Sequence, residues 1–161
     1  MVGKTLYRGL AVLALTTSFA AAPLVPAQAA PRPPVPVTED LSATAAPRGR
    51  QCAGAARAAG FRGERLVTAV AVGLAESGCS VRAKGHNGPT KGCRRGSTDR
   101  GLWQINSCYH PDVPDSCAYN ANCNARAAHR ISKGGTQWKW WSSYQNGSYR
   151  KYLNEARAAL R

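Results

Sequence analysis

The chain has 161 residues, and its 22 Lys and Arg against eight Asp and Glu give a net charge of +14 at pH 7. Its three histidines, His86, His110 and His129, are not at ligand spacing to one another, and its six cysteines include no Cys-x-x-Cys pair, which argues against a zinc framework. Beyond the N-terminal stretch no apolar run approaches the ~20 residues of a membrane span.

Residues 1–29 read as an export signal. Lys4 and Arg8 make a positive start. Leu10 to Ala22 is apolar apart from Thr16, Thr17 and Ser18, and Ala27-Gln28-Ala29 is a small-residue cleavage site. Pro23 and Pro26 interrupt the run too early for a transmembrane helix, and no Cys follows the cleavage site to carry a lipid. Residues 30–49 are rich in Pro, Ala and Thr without apolar periodicity, a semi-rigid linker that buries too little to fold. The folded unit is then one domain, residues 50–161.

In that domain Gln51 to Ala59 is an Ala-rich helix stopped by Gly60. Glu64 to Ser77 is a second helix, with Leu66, Val67, Val70, Ala71 and Leu74 at helical spacing, Glu64 in the first turn and Gly78 as its stop. The helix is apolar nearly all round, so it is expected to be buried. Cys79 to Arg100 is rich in Gly, Lys and Arg and reads as a loop with a small hairpin. Leu102 to Asn106 is a short apolar return, and Tyr109 to Asp115 a Pro-marked loop. Asn122 is placed to cap a helix through Ser132, and Ser148 a last helix with the stripe Tyr149, Tyr152, Leu153, Ala156 and Leu160.

All six cysteines, Cys52, Cys79, Cys93, Cys108, Cys117 and Cys123, fall in this domain, and an even count in a small exported unit predicts three disulfides. Cys117 and Cys123 flank a five-residue loop and are the expected pair. For the others Cys79–Cys93 with Cys52–Cys108 is preferred weakly over the alternatives. From residue 50 onward 18 Lys and Arg oppose six Asp and Glu, a net +12 that favours polyanionic partners.

Two of those six carboxylates stand out chemically. Glu76 closes the apolar helix in VTAVAVGLAESG, where apolar surroundings would raise its pKa and let it donate a proton near neutral pH. An ion pair with one of the many Arg is the structural alternative. Asp99 lies 23 residues downstream in STDRGLWQINS, in a turn that can present it to a cleft; it can equally bond its own backbone or pair with Arg100. Trp138, Trp140, Trp141 and Tyr144 cluster in the chain. Two of the Trp are expected in the core and one at a carbohydrate-binding surface, where sugar C–H faces stack on rings. Trp103 suits either place.

These segments resemble the lysozyme-like superfamily. STDRGLWQINS is similar to a segment of c-type lysozymes. LAESG followed by GLWQIN, then AYNANCNARAAHRIS and WSSYQNGSY, resembles lytic transglycosylases and short bacterial lysozyme-like proteins. The likeness spans about Cys52 to Tyr149. It implies an α+β fold, lysozyme-like and mainly helical with a small irregular or β lobe. It also implies that Glu76 is the general acid and later the base, and that Asp99 is the nucleophile or cation stabiliser. Gln104 and Asn106 would line the cleft with Trp103, and Tyr144 would orient Glu76. Three departures from the c-type pattern occur: a longer Glu-to-Asp interval, Arg100 after the Asp, and Ala71 where a Cys is expected. The implied activity is cleavage of the β-1,4 bond between N-acetylmuramic acid and N-acetylglucosamine in peptidoglycan, by hydrolysis or by transglycosylation. The expected protein is a secreted monomer held at the cell wall by anionic polymers, with no cofactor, no metal, no nucleic-acid partner and no stable membrane insertion. Its alternative is a non-catalytic, cationic wall-binding protein on the same fold.

Overall fold

A computed structural model describes residues 48–161. The expected signal peptide, and the expected linker up to residue 47, lie outside the described residues. Arg48 and Gly49 adjoin the domain: Arg48 Nε lies 3.1 Å from Glu155 Oε1, and Gly49 is buried.

Helix α1 (Arg50–Ala59) packs on α2 (Gly63–Ser77), whose Leu66, Val67 and Ala69 to Leu74 are buried, as the apolar pattern requires. Helix α2 also meets the C-terminal elements α5 (Ser142–Gln145), a 3-10 turn (Ser148–Tyr152) and α6 (Leu153–Ala159). Gly73 interrupts the apolar run of α2 for a steric reason. A Cβ there would stand 2.7 Å from Cys52 Sγ and 3.4 Å from the Trp103 indole. The small lobe is a three-stranded antiparallel sheet in the order β1 (Lys84–Asn87), β2 (Ser97–Arg100), β3 (Ile105–Asn106). Short α3 (Asp115–Ala118) and α4 (Ala121–Ile131) follow, and α4 lies against α1. Among the described residues no helix is long and apolar enough to cross a membrane.

The β2–β3 connection, Gly101 to Gln104, is anchored by side chains of α4, of α2 and of Trp141. Asn124, fully buried on α4, accepts from Trp103 N (3.0 Å) and donates to Arg100 O (3.0 Å) and Ala118 O (2.7 Å). Ser77 Oγ donates to Leu102 O (2.7 Å), Trp141 Nε1 to Trp103 O (2.7 Å), and Trp103 Nε1 to Ala69 O (2.9 Å). Gly101 has φ +72°, and a Cβ there would lie 2.1 Å from Ala118 O, so no other residue fits.

The disulfides are Cys52–Cys79, Cys93–Cys108 and Cys117–Cys123. The third is the expected one, whereas the weak preference for Cys79–Cys93 and Cys52–Cys108 is corrected. Packing of α1 on α2 places Cys52 beside Cys79, just past the end of α2. The antiparallel register brings the β1–β2 loop, with Cys93, to the same end of the sheet as the exit of β3, with Cys108. Two caps also differ from expectation. Asn120, not Asn122, caps α4, accepting from Cys123 N at 3.0 Å. Ser148 opens a 3-10 turn without a side-chain cap, and its hydroxyl instead donates to Ser143 O (3.3 Å).

Asn124→Ala is expected to destabilise the domain by about 3 kcal/mol or more, since an orphaned buried polar group costs roughly 1–3 kcal/mol and three lose their partner. Denaturant unfolding checks this, and a loss below about 1 kcal/mol would show that the turn does not rest on this amide.

Candidate active site

A groove of about 360 Å³ runs between the helical body and the sheet, and both Glu76 and Asp99 line it. Glu76 comes from the last turn of α2 and Asp99 from the central strand β2. The two share a property that sets them apart. Of the six carboxylates from residue 50 onward, four are ion-paired: Glu155 with Arg48, Asp115 with Arg100, Asp112 with Arg130 and Glu64 with Arg157. Glu76 and Asp99 have no cation at ion-pair distance among the described residues. The Arg partners considered for them from sequence are directed elsewhere. Strand alternation turns Arg100 to the opposite side from Asp99. There it is buried, bonding Ile105 O (3.2 Å) and Asp115 Oδ1 (2.7 Å).

Burial pushes the Glu76 carboxyl above its usual range. Ser143 works against this by donating its hydroxyl and its backbone N–H (3.3 Å) to Oε1, and the charge of Asp99 adds a smaller upward push. With Oε1 occupied by two donors, Oε2 is left to carry a proton. Asp99 is held differently. Asn87 Nδ2 donates to its Oδ2 (2.8 Å) and Asn106 Nδ2 to its Oδ1 (2.7 Å), so amides fix the carboxylate from both neighbouring strands. The register Asp99↔Asn106 and Gly85↔Asp99 dictates this placement.

The other residues singled out in the sequence separate into groove and core. Gln104 and Asn106 line the groove, but both are engaged there. Gln104 Nε2 donates to Ala83 O (3.2 Å) and Gly101 O (2.8 Å), and Asn106 Oδ1 accepts from Cys108 N (2.9 Å) and Tyr109 N (3.2 Å). Trp103 is 0% exposed and belongs to the core. Tyr144 stacks on Tyr149 (centroids 4.8 Å apart) and Trp138 (6.2 Å) and does not line the groove, so the contact with Glu76 falls to Ser143, one residue earlier. Trp138 and Trp141 are buried, while Trp140 is 52% exposed in the groove wall. Sequence reasoning missed Asn87, Ser143, Tyr109, His110 and Lys139. Ser143 had a signal, its place beside Tyr144 in WSSY; the others had none. Among the described residues no group of three His, Cys, Asp or Glu could hold a metal ion.

A family model described as a lysozyme-like domain matches residues 53–143. The chain belongs to this lysozyme-like family. Comparison with curated proteins and with solved structures found no match. The matched span of the lysozyme-like domain includes Glu76, Asp99, Asn106 and Ser143 and ends before Tyr144. Every groove residue described above therefore lies inside it. Membership is consistent with glycan cleavage.

For an acid catalyst the protonated form is the active one, so rate should fall as pH rises through the Glu76 pKa. Ser143 favours the ionised form. Ser143→Ala should therefore let burial raise the pKa further and move the alkaline limb of the kcat/KM profile to higher pH, while Ser143→Thr, which keeps a hydroxyl, should move it less. A limb that stays in place or moves down would show that Ser143 does not tune Glu76.

Proposed function

We propose that this domain is a secreted muramidase that hydrolyses the β-1,4 bond between N-acetylmuramic acid and N-acetylglucosamine in peptidoglycan, with Glu76 as acid and Asp99 as second carboxylate. The observation that carries this reading is the pair itself: two carboxylates without cation partners, in one groove, in opposite environments. Glycosidic cleavage asks for that division. Glu76, partly buried at the groove wall, delivers its proton from Oε2 to the bridging oxygen. Asp99, held by two amides, faces the positive charge that develops on the sugar and stabilises or traps it. The departing sugar keeps that proton as its new hydroxyl; water then adds at the sugar carbon and gives one of its own protons to the Glu76 carboxylate. An amide-bound Asp99 aimed into the groove supports hydrolysis over attack by the sugar's own 6-hydroxyl. The three disulfides suit an oxidising exterior, which agrees with the export signal read in residues 1–29. The domain charge of +12 suits an anionic wall.

Glu76→Gln should lower release of fragments from purified peptidoglycan by at least ~100-fold, the scale of lost general acid catalysis, with the fold retained. Asp99→Asn should also lose most activity, and mass spectrometry of wild-type products should find reducing ends. Anhydro-muramyl ends together with an active Asp99→Asn variant would replace hydrolysis by transglycosylation. Near-normal lysis by Glu76→Gln would remove the enzyme reading altogether.

Long-range attraction to the wall is screened over ~10 Å at 0.1 M salt. Lysis of intact cells should therefore fall with salt more steeply than cleavage of a short neutral glycan. Equal salt sensitivity on both substrates would mean that the charge does not steer the enzyme.

A further inference from the structure

The only large hydrophobic side chains exposed among the described residues are Tyr109 and Trp140, each 52% exposed, and they touch each other. Their rings stack at 6.0 Å between centroids and 28° between planes, and both line the groove. They come from distant segments, and each is fixed in place. Trp140 stands between Trp138 and Trp141, whose indoles are buried and donate to Gly135 O (3.2 Å) and Trp103 O (2.7 Å). Tyr109 follows the Cys93–Cys108 disulfide, and its N–H is held by Asn106 Oδ1. Exposed aromatics on a rigid groove wall mark a ligand surface rather than a packing error.

The same wall carries a cation. Lys139 Nζ lies 4.9 Å from the Trp140 ring centroid, and it has no carboxylate partner among the described residues. His110 meets the Trp140 ring edge-on at 5.8 Å. Burial lowers the His110 pKa, Asp112 opposes this, and Arg130 and Arg100 add to the lowering, so near neutral pH His110 adds an apolar face rather than a charge. Arg130 and Arg100 are themselves neutralised by Asp112 and Asp115. Lys139 is left as the unneutralised charge beside the aromatic pair.

We propose that Tyr109, Trp140 and Lys139 form a specificity subsite for a sugar residue bearing a carboxylate. The rings take the C–H face of the sugar, and Lys139 takes the carboxylate by a charge-assisted hydrogen bond. This deepens the muramidase reading and rests on it. It makes the groove selective for glycans with acidic substituents over neutral chains of the same linkage. The carboxylate can be the lactyl group of the sugar or belong to a peptide attached to it.

Binding separates this inference from catalysis. The full chain carrying Glu76→Gln is titrated calorimetrically at low salt with three tetrasaccharides. One is neutral and built of N-acetylglucosamine alone, one alternates with N-acetylmuramic acid carrying free lactyl carboxylates, and one carries stem peptides on those groups. The charged ligands should bind roughly tenfold more tightly than the neutral one. Lys139→Met should reduce that preference to within about twofold, and Lys139→Arg should restore it. Trp140→Ala should weaken all three. The charged ligand that depends more on Lys139 identifies the source of the carboxylate. A Lys139→Met protein that keeps its preference, or that loses all three ligands equally, overturns the subsite. Peptidoglycan left uncleaved by the wild-type chain, with the Lys139-dependent preference intact, would overturn only the catalytic reading.

Discussion

Four hydrogen bonds converge on the few residues between β2 and β3, and the geometry of the groove depends on them. Asn124 reaches in from α4, Ser77 from the end of α2, Trp141 from the start of α5, and the Trp103 indole reaches back to Ala69. Ser77 is the neighbour of Glu76, and the turn leads directly out of the strand that holds Asp99. The same buried turn thus fixes both carboxylates, one from each side. Buried backbone groups must find partners, and here the need to satisfy them forces three helices and a sheet into one register. Gly101 serves the same constraint, because a side chain there would push this turn away from Ala118 and from Asn124 on α4, whereas a side chain at Gly73 would displace Cys52 and with it α1.

The arrangement has an energetic cost centred on Glu76. A carboxyl whose folded-state pKa is raised contributes most to stability below its unfolded pKa, and that contribution is lost as pH rises through the folded value. At neutral pH the partly buried Glu76 therefore works against folding. Ser143 recovers part of the loss by hydrogen bonding, and the remainder is borne by the apolar packing of α2 and the three disulfides. Local instability at a site is a common accompaniment of function.

Much of this was legible in the sequence because it depends on local pattern. The apolar spacing of α2, its stop at Gly78 and the position of Glu76 follow from one helix read alone. The Cys117–Cys123 pair follows from a short loop. What was not legible depends on packing between distant segments. Cys52 meets Cys79 only because α1 lies on α2, and Cys93 meets Cys108 only because β3 returns antiparallel to β2. Tyr144 was expected at Glu76, yet the register of the short helix α5 presents Ser143 there and turns Tyr144 onto Tyr149. Trp103 looked open to either environment in the sequence; its indole N–H finds a backbone carbonyl inside, which makes full burial possible. Asn87 comes to Asp99 through strand pairing across eleven intervening residues of loop and strand, which no local pattern reveals.

With three times as many cations as anions in the domain, pairing with an Arg is the ordinary fate of a carboxylate, and four of six meet it. Keeping the other two unpaired requires walls that exclude guanidinium groups. Around Glu76 and Asp99 those walls are hydroxyl, amide and indole: Ser143, Asn87, Asn106 and Trp141. An Arg in contact with Glu76 would favour its ionised form and take away the proton a glycosidase needs. The basic surface and the cation-free pair of carboxylates are therefore compatible only because the groups in contact with the pair are neutral donors, Lys139 standing on the groove wall outside ion-pair distance of both. Under the proposed function, that lining, rather than the overall charge, is what would let a strongly cationic domain use acid catalysis on an anionic polymer.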